Sequence, residues 1–271
     1  MTSIHIQEIG PEQFPLYDAI PNRYRVESVL RVEAMNGGLG GFRLVEERVA
    51  KPYVRDYDSH HGDNPAAWAA TFDMSRWGIF VATDGEQPVG GAAVALDTPV
   101  YPMDHFQRKD LAVLWDIRVH PDQRGRGIGA ELFQYAADWA RRKGYGQLGL
   151  ETDSANVPAC RFYLRQGCTL GAIHRFGYIG CPEVAQNAML LWYFDLSPDR
   201  NRQLLESINS TYEGEDDSTE FSRLGKMRHR QAWAPGTHCL TAVLRVSEGF
   251  GWGLTLAAHG EGLRWLPAEF G

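Results

Sequence analysis

Apolar and polar residues alternate from Ser3 to Ile9, which predicts a first strand, and Pro11 to Ile20 predicts a short helix. Arg23 to Ala34 and Phe42 to Val49 read as strands, with a helix left open for the first. Between them Asn36-Gly-Gly-Leu-Gly-Gly41 breaks any regular element. Asn64 to Ser75 has a helical pattern. Trp77 to Thr83 and Pro88 to Leu96 predict a hairpin that turns on Asp84-Gly85-Glu86-Gln87. An apolar strand from Val113 to Val119 follows. Ile128, Leu132, Phe133, Ala136, Trp139 and Ala140 then recur at helical spacing, so one face of that helix packs on a sheet. Further strands are expected near Gln147, Cys168 and Ala188. The order of elements predicts an α/β domain, a mixed sheet with helices on both faces.

Beyond Asp195 the pattern loosens, which divides the chain into a domain of residues 1–196 and a C-terminal α+β extension of residues 197–271. Within the extension, Arg200 to Ile208 predicts a helix and Glu213-Gly-Glu-Asp-Asp-Ser-Thr-Glu220 an acidic connection. Repulsion between its like charges makes that run a solvated linker in preference to a cation clamp. Leu240 to Val246 alternates as a strand, Gly249 to Gly253 turns, and a second strand reaches Ala258. Two or three strands do not stand alone in water, so the extension is expected to dock on the first domain or on a partner chain.

The chemistry concentrates where the strand Val113-Leu-Trp-Asp-Ile-Arg-Val119 enters the turn His120-Pro-Asp-Gln-Arg-Gly-Arg-Gly-Ile-Gly129 and a helix opens at Ala130. A helix N-terminus presents unpaired N–H groups and the positive end of its dipole, which suits an anion. Gly125, Gly127 and Gly129 allow close backbone approach, and Arg124 and Arg126 add positive charge, so the turn is suited to a pyrophosphate. A Walker loop would need Gly-Lys-Ser/Thr, which is absent. A dinucleotide fingerprint would need an acid about 20 residues on, and Lys143 to Gln147 contains none. A second motif runs from Leu148 to Gly171. It comprises a short strand, Asn156 as helix N-cap, Pro158 in the first turn, Tyr163, and a stop at Gly167.

Arg124-Gly125-Arg126-Gly127-Ile128-Gly129 together with the Asn156-x-x-Ala159-x-x-x-Tyr163 helix resembles the GNAT superfamily of acyl-CoA N-acyltransferases. Several segments narrow the resemblance to streptothricin acetyltransferases over about residues 23–196. They are Pro52-Tyr-Val-Arg-Asp-Tyr57, Leu150-Glu-Thr152, Asn156-Val-Pro-Ala-Cys160, Thr169-Leu-Gly171 and Leu191-Trp-Tyr-Phe194. Those enzymes acetylate an amino group on the β-lysine arm of a cationic antibiotic.

The resemblance implies a GNAT fold, a mostly antiparallel sheet splayed between its fourth and fifth strands. It also implies acetyl-CoA as cosubstrate and direct transfer of the acetyl group to a primary amine. The backbone of Ile117, Arg118 and Val119 would pair with the pantetheine arm. The residues from Arg124 to Ala130 would hold the pyrophosphate, Asn156 would bond the arm, and Tyr163 would give a proton to the sulfur. The Val119 N–H or a neighbour would stabilise the oxyanion, a donor worth about 3 kcal/mol. A capping Asn and a core Tyr are the alternative roles for Asn156 and Tyr163.

An alkylammonium, with a pKa of about 10, must lose a proton before it attacks. Asp116, in the Asp-Ile-x-Val pattern of antibiotic-modifying relatives, and Glu151 are the two candidate bases, and for each a structural or orienting acid is the alternative. Some relatives carry a Glu where this chain has Trp115, and strand alternation predicts Trp115 and Asp116 on opposite faces. Tyr53, Asp56, Tyr57 and Asp58 form an acidic-aromatic cluster suited to a cation, with an ordinary surface loop as the alternative.

A net charge of −7 argues against nucleic acid and suits a cationic small-molecule amine. No apolar run approaches about 18 residues and no signal pattern opens the chain, so a cytoplasmic protein without membrane contact is expected. Cys160, Cys168, Cys181 and Cys239 show no CxxC spacing and read as free thiols, the first two as packing residues. His60 and His61 lack a spaced partner, so no metal is expected. A homodimer stays open. The competing functions are acetylation of a protein N-terminus or lysine, and a non-catalytic acyl-CoA sensor.

Overall fold

The computed structural model describes residues 4–58, 64–97, 108–197, 254–259 and 262–267. The chain forms β1 (Ile4–Glu8), α1 (Phe14–Asp18), β2 (Arg23–Ala34), β3 (Phe42–Asp56), α2 (Pro65–Thr71), β4 (Gly78–Asp84) and β5 (Gln87–Ala95). After these come β6 (Leu111–Val119), α3 (Ile128–Arg142), β7 (Gln147–Asp153), α4 (Val157–Gln166), β8 (Thr169–His174) and β9 (Met189–Asp195). Seven strands make one sheet in the order β1-β4-β5-β6-β7-β9-β8. Its single parallel junction, β6 with β7, is between the fourth and fifth of its strands in chain order.

α3 and α4 pack on one face through Ile128, Leu132, Phe133, Ala136, Cys160 and Tyr163. The other face carries α1 and α2, whose Tyr17 and Trp68 are fully buried with Trp77, Ile79 and Val81. Asn64 accepts the N–H of Ala67 at 3.0 Å and so starts α2, while Gly167, at φ 90°, ends α4 in the left-handed conformation.

Two boundaries differ from the sequence reading for identifiable reasons, and the element read as a strand at Arg23 to Ala34, with a helix left open, is a strand with those bounds. β2 is a strand and not a helix, because it pairs antiparallel with β3 from Arg23↔Asp56 to Ala34↔Phe42. β3 runs past Val49 to Asp56. Its ladder skips from Ser28↔Arg48 to Val26↔Tyr53, so Pro52 lies in an irregular stretch that needs no ladder donor from it. The first helix shortens to Phe14–Asp18 behind a 3₁₀ turn at Pro11–Gln13.

A β-bulge shapes the middle of the sheet. Val94 faces Leu114 and Ala93 faces Asp116, so Trp115 is an extra residue on β6. β6 and β7 pair only from Leu111↔Gln147 to Val113↔Gly149. From Leu114 onward no described strand covers that edge of β6, and the sheet opens there into a seam.

Backbone contacts divide the chain into two units, Met1–Gln231 and Ala232–Gly271. In the second unit β10 (Leu254–His259) pairs antiparallel with β11 (Gly262–Pro267). The strand predicted to reach Ala258 corresponds to β10. The helix at Arg200–Ile208, the acidic run and the strand at Leu240–Val246 lie outside the described residues.

Candidate active site

At the end of β6 the chain makes a 3₁₀ turn (Pro121–Gln123) and then α3, capped by Gly127. Gly125 and Gly127 have φ of 79° and 88°, a conformation that costs other L-residues about 1–2 kcal/mol. The N–H groups of Gly125, Gly127, Ile128 and Gly129 meet no acceptor among the described residues, while the Ala130 N–H bonds Gly127 O at 2.9 Å. The helix thus opens with a row of free donors. The arginines are anchors of this turn. Arg124 donates to Val119 O at 3.2 Å and to Arg23 O at 2.5 Å, tying the turn to β2, and Arg126 donates to Asp84 at 2.9 Å. Gly129 needs no special conformation, and a Cβ there would meet Phe162 and Val119 at 3.5 Å, an ordinary contact.

On the far side of the seam, β7 leads into α4. Asn156 accepts the N–H of Ala159 at 3.2 Å through its side-chain oxygen, which leaves its amide N–H groups without a described partner. It is therefore a helix cap whose amide N–H groups remain available. Tyr163 is buried, at 7% exposure, beside Phe162 and Trp192, and its hydroxyl bonds no described residue. Burial, then the charges of its neighbours, Asp116 and Glu151 among them, push its pKa well above that of an ordinary phenol.

Glu151 lies on β7 and accepts a short hydrogen bond from the Tyr178 hydroxyl. Burial raises its pKa to about 7, against the lowering effect of Tyr178 and with the charge of Asp153 adding to the rise. Asp153 is held differently. It accepts the N–H groups of Ala155 at 2.7 Å and Asn156 at 3.2 Å, the Tyr57 hydroxyl at 3.3 Å and the Asn187 amide at 3.3 Å. Those bonds make it the pin that fixes the β7–α4 corner.

Asp116 sits across the seam on β6. The bulge reverses the expected alternation. Trp115 packs against Trp68, Phe72 and Trp77, and Asp116 bonds Tyr17 on the same face, so the two are not opposed. Asp116 accepts the Tyr17 hydroxyl at 2.6 Å, the Arg118 Nε–H at 2.6 Å and the Asn22 amide at 3.4 Å. Arg118, 3% exposed, stacks over the Tyr17 ring at 5.0 Å and also reaches Asp58 at 3.3 Å. So committed, the Asp116 carboxylate holds Tyr17, Arg118 and Asn22 in place.

The four residues read as a substrate cluster separate. Asp58 joins Arg118 and the N–H of Asn22, and Tyr57 turns inward onto Tyr24 and Asp153. Tyr53 is 40% exposed on β3, and Asp56 accepts the Asp58 N–H at 3.0 Å. Sequence reasoning missed Tyr17, Asn22 and Tyr178, which contact the seam from α1 and two irregular stretches. It also missed the side chain of Arg118, where it considered only the backbone. His60 and His61 lie outside the described residues, as does Cys239. Among the described residues no cluster of metal-ligand type occurs, and no helix is long and apolar enough to cross a membrane.

Free donors at a helix N-terminus and an uncovered strand edge are features suited to a phosphorylated, amide-containing arm. Residues 43–168 match the acetyltransferase (GNAT) family. The streptothricin acetyltransferase of Streptomyces lavendulae is 31% identical over 197 residues, 70% of this chain and 97% of that one. Its counterpart from Escherichia coli is 29% identical over 184 residues, 68% of this chain and 92% of the other. Among solved structures, a nourseothricin acetyltransferase superposes with a TM-score of 0.57 at 26% identity, covering 72% of this chain and 99% of its own.

The chain belongs to the GNAT family of acetyltransferases. Within that family it is an acetyl-CoA-dependent enzyme related to the streptothricin acetyltransferases.

One consequence can be measured at the turn. Gly127→Ala places a Cβ at φ 88°, at a cost of about 1–2 kcal/mol. That strain falls on the free backbone donors of the turn, and KM for acetyl-CoA should rise about tenfold with kcat nearly unchanged. Steady-state kinetics in acetyl-CoA check this.

Proposed function

We propose that this enzyme moves the acetyl group to a primary amine of a small cationic molecule, of the streptothricin type, by direct transfer within a ternary complex. The observation that carries the reading is the pair Glu151 and Tyr163, set on β7 and on the α4 helix that follows it, on the same side of the seam and within reach of each other's field. Acetyl-CoA supplies the acetyl group as a thioester. The backbone donors from Gly125 to Gly129, the free edge of β6 and the Asn156 amide would hold it.

Glu151, with a pKa raised to about 7, is matched to take a proton from an ammonium at neutral pH, directly or through a water. Tyr163 keeps its proton throughout that range and can release it toward the departing sulfur. Asp116, locked by Tyr17 and Arg118, orients the acceptor face. Burial pushes the thiols of Cys160 and Cys168 up to about 12, which disfavours a covalent acyl-cysteine route.

The preference for a cation rests on Asp18, Asp58, Asp116, Glu151 and Asp153, which outnumber the guanidiniums of Arg55 and Arg118 near them. Asp58 and Tyr57 reach this charged face, and we assign the cationic arm to them, with Tyr53 and Asp56 at its outer edge. Thiol release from acetyl-CoA across streptothricin, polyamines, aminoglycosides and short peptides tests the proposal. Turnover with one cationic small molecule supports it, and turnover confined to peptides overturns it.

A further inference from the structure

We infer that Tyr178 is a positioning residue for acetyl transfer, its hydroxyl holding the Glu151 carboxylate toward the acceptor and favouring the ionised form that receives the proton. The inference rests on the proposed role of Glu151 as base. Tyr178 is not on a regular element, yet its place is tightly determined. The turn that carries it is closed by the Cys181 N–H to Tyr178 O at 2.8 Å and the Ile179 N–H to Phe176 O at 3.3 Å. Gly177, just before it, runs so close to Met189 that a Cβ would lie 2.9 Å from that side chain, so the backbone is seated on β9 only because residue 177 lacks one. At the far end of the same connection, Asn187 bonds Asp153, while Ser154 and Ala188 exchange bonds of 2.9 and 3.0 Å. The connection between β8 and β9 is thus fixed beside β7 at both ends, and the Tyr178 ring packs on the core under α1 and α2.

The groups around Glu151 leave Tyr178 as its hydrogen-bond donor. From β7 comes Asp153, a like charge that disfavours ionisation of Glu151. From α4 comes Tyr163, whose hydroxyl feels the charges of both Glu151 and Asp116. Arg55 and Tyr57 act on Asp153, and the residue opposite Glu151 on β9 is Leu191, which does not titrate. A phenol that donates to a carboxylate stabilises its charged form, so it opposes both burial and Asp153.

The test compares Tyr178→Phe, Glu151→Gln and the double variant by the pH dependence of kcat/KM, with acetyl-CoA and the best amine from the panel. In the parent enzyme activity is expected to rise with pH through about 7, the value to which burial raises the Glu151 pKa. In Tyr178→Phe the rise moves up by about one pH unit, and the alkaline plateau is retained. In the Glu151→Gln background the second substitution adds nothing. Replacing Tyr178 by a difluorotyrosine, a stronger donor, moves the rise down and covers the case in which the phenylalanine variant folds poorly.

Activity lowered by the same factor at every pH, or a midpoint that does not move, overturns the inference while leaving Glu151 as the base. A rise that persists in Glu151→Gln removes Glu151 from that role and takes the inference with it.

Discussion

Replacing Glu151 with glutamine should lower kcat/KM by about 10²–10⁴-fold and abolish the rise of activity with pH through about 7. The sign follows from the environment. Burial is the largest effect on Glu151 and disfavours its charged form, so the carboxyl stays protonated to a higher pH than an ordinary glutamate. A base must be ionised to accept a proton, so activity appears as pH rises. Stability runs the other way. A carboxyl whose folded pKa is raised favours the folded state below its unfolded value, and that contribution is lost as pH rises through about 7. Glutamine does not titrate, so Glu151→Gln should gain in melting temperature relative to the parent over the same interval. Kinetics and thermal melts across that range check both halves. Retention of full activity in the glutamine variant would transfer the role of base elsewhere, with Asp116 the next candidate.

Tyr163→Phe should separate chemistry from binding. The phenol makes no hydrogen bond to a described residue and its ring packs against Phe162 and Trp192. Phenylalanine therefore preserves the packing and the cap of α4, and acetyl-CoA affinity should hold. Turnover should fall about 10²-fold, because the departing sulfur would lose the phenolic proton. Calorimetric titration with CoA and single-turnover rates decide this. A protein that only senses acyl-CoA would bind as before and would have no turnover to lose, and an unchanged rate in an active enzyme would show that the sulfur needs no acid from Tyr163.

Why some of this could be read from the residues and some could not has physical causes. The helix Ile128–Arg142 buries its apolar stripe against the sheet, and Asn156 and Gly167 stand at the ends of α4 with the bonds and backbone angles that cap residues make. These are local signals, and they were visible. The bulge at Trp115 has no such signature. It is defined by a mismatch between β5 and β6, so alternation within β6 alone put Trp115 and Asp116 on opposite faces when they share one. β3 runs past the expected end at Val49 and through Pro52, because an irregular ladder accommodates the proline. Tyr178 stands in a turn-rich connection with no periodicity to mark it. Its contact with Glu151 depends on the long-range seating of Gly177 on Met189. Arg118 looked like one more residue of a strand edge until the bulge turned its side chain under Tyr17.

The central claim is that the acetyl group goes to an amine of a small cationic molecule. Its most direct test is mass spectrometry of streptothricin incubated with the enzyme and acetyl-CoA, with fragmentation to locate the modification. The account predicts a single acetyl group on a primary amine of the β-lysine arm, formed with one free thiol per product. Unmodified streptothricin, under conditions where the enzyme still consumes acetyl-CoA on a peptide N-terminus or a lysine side chain, would contradict it.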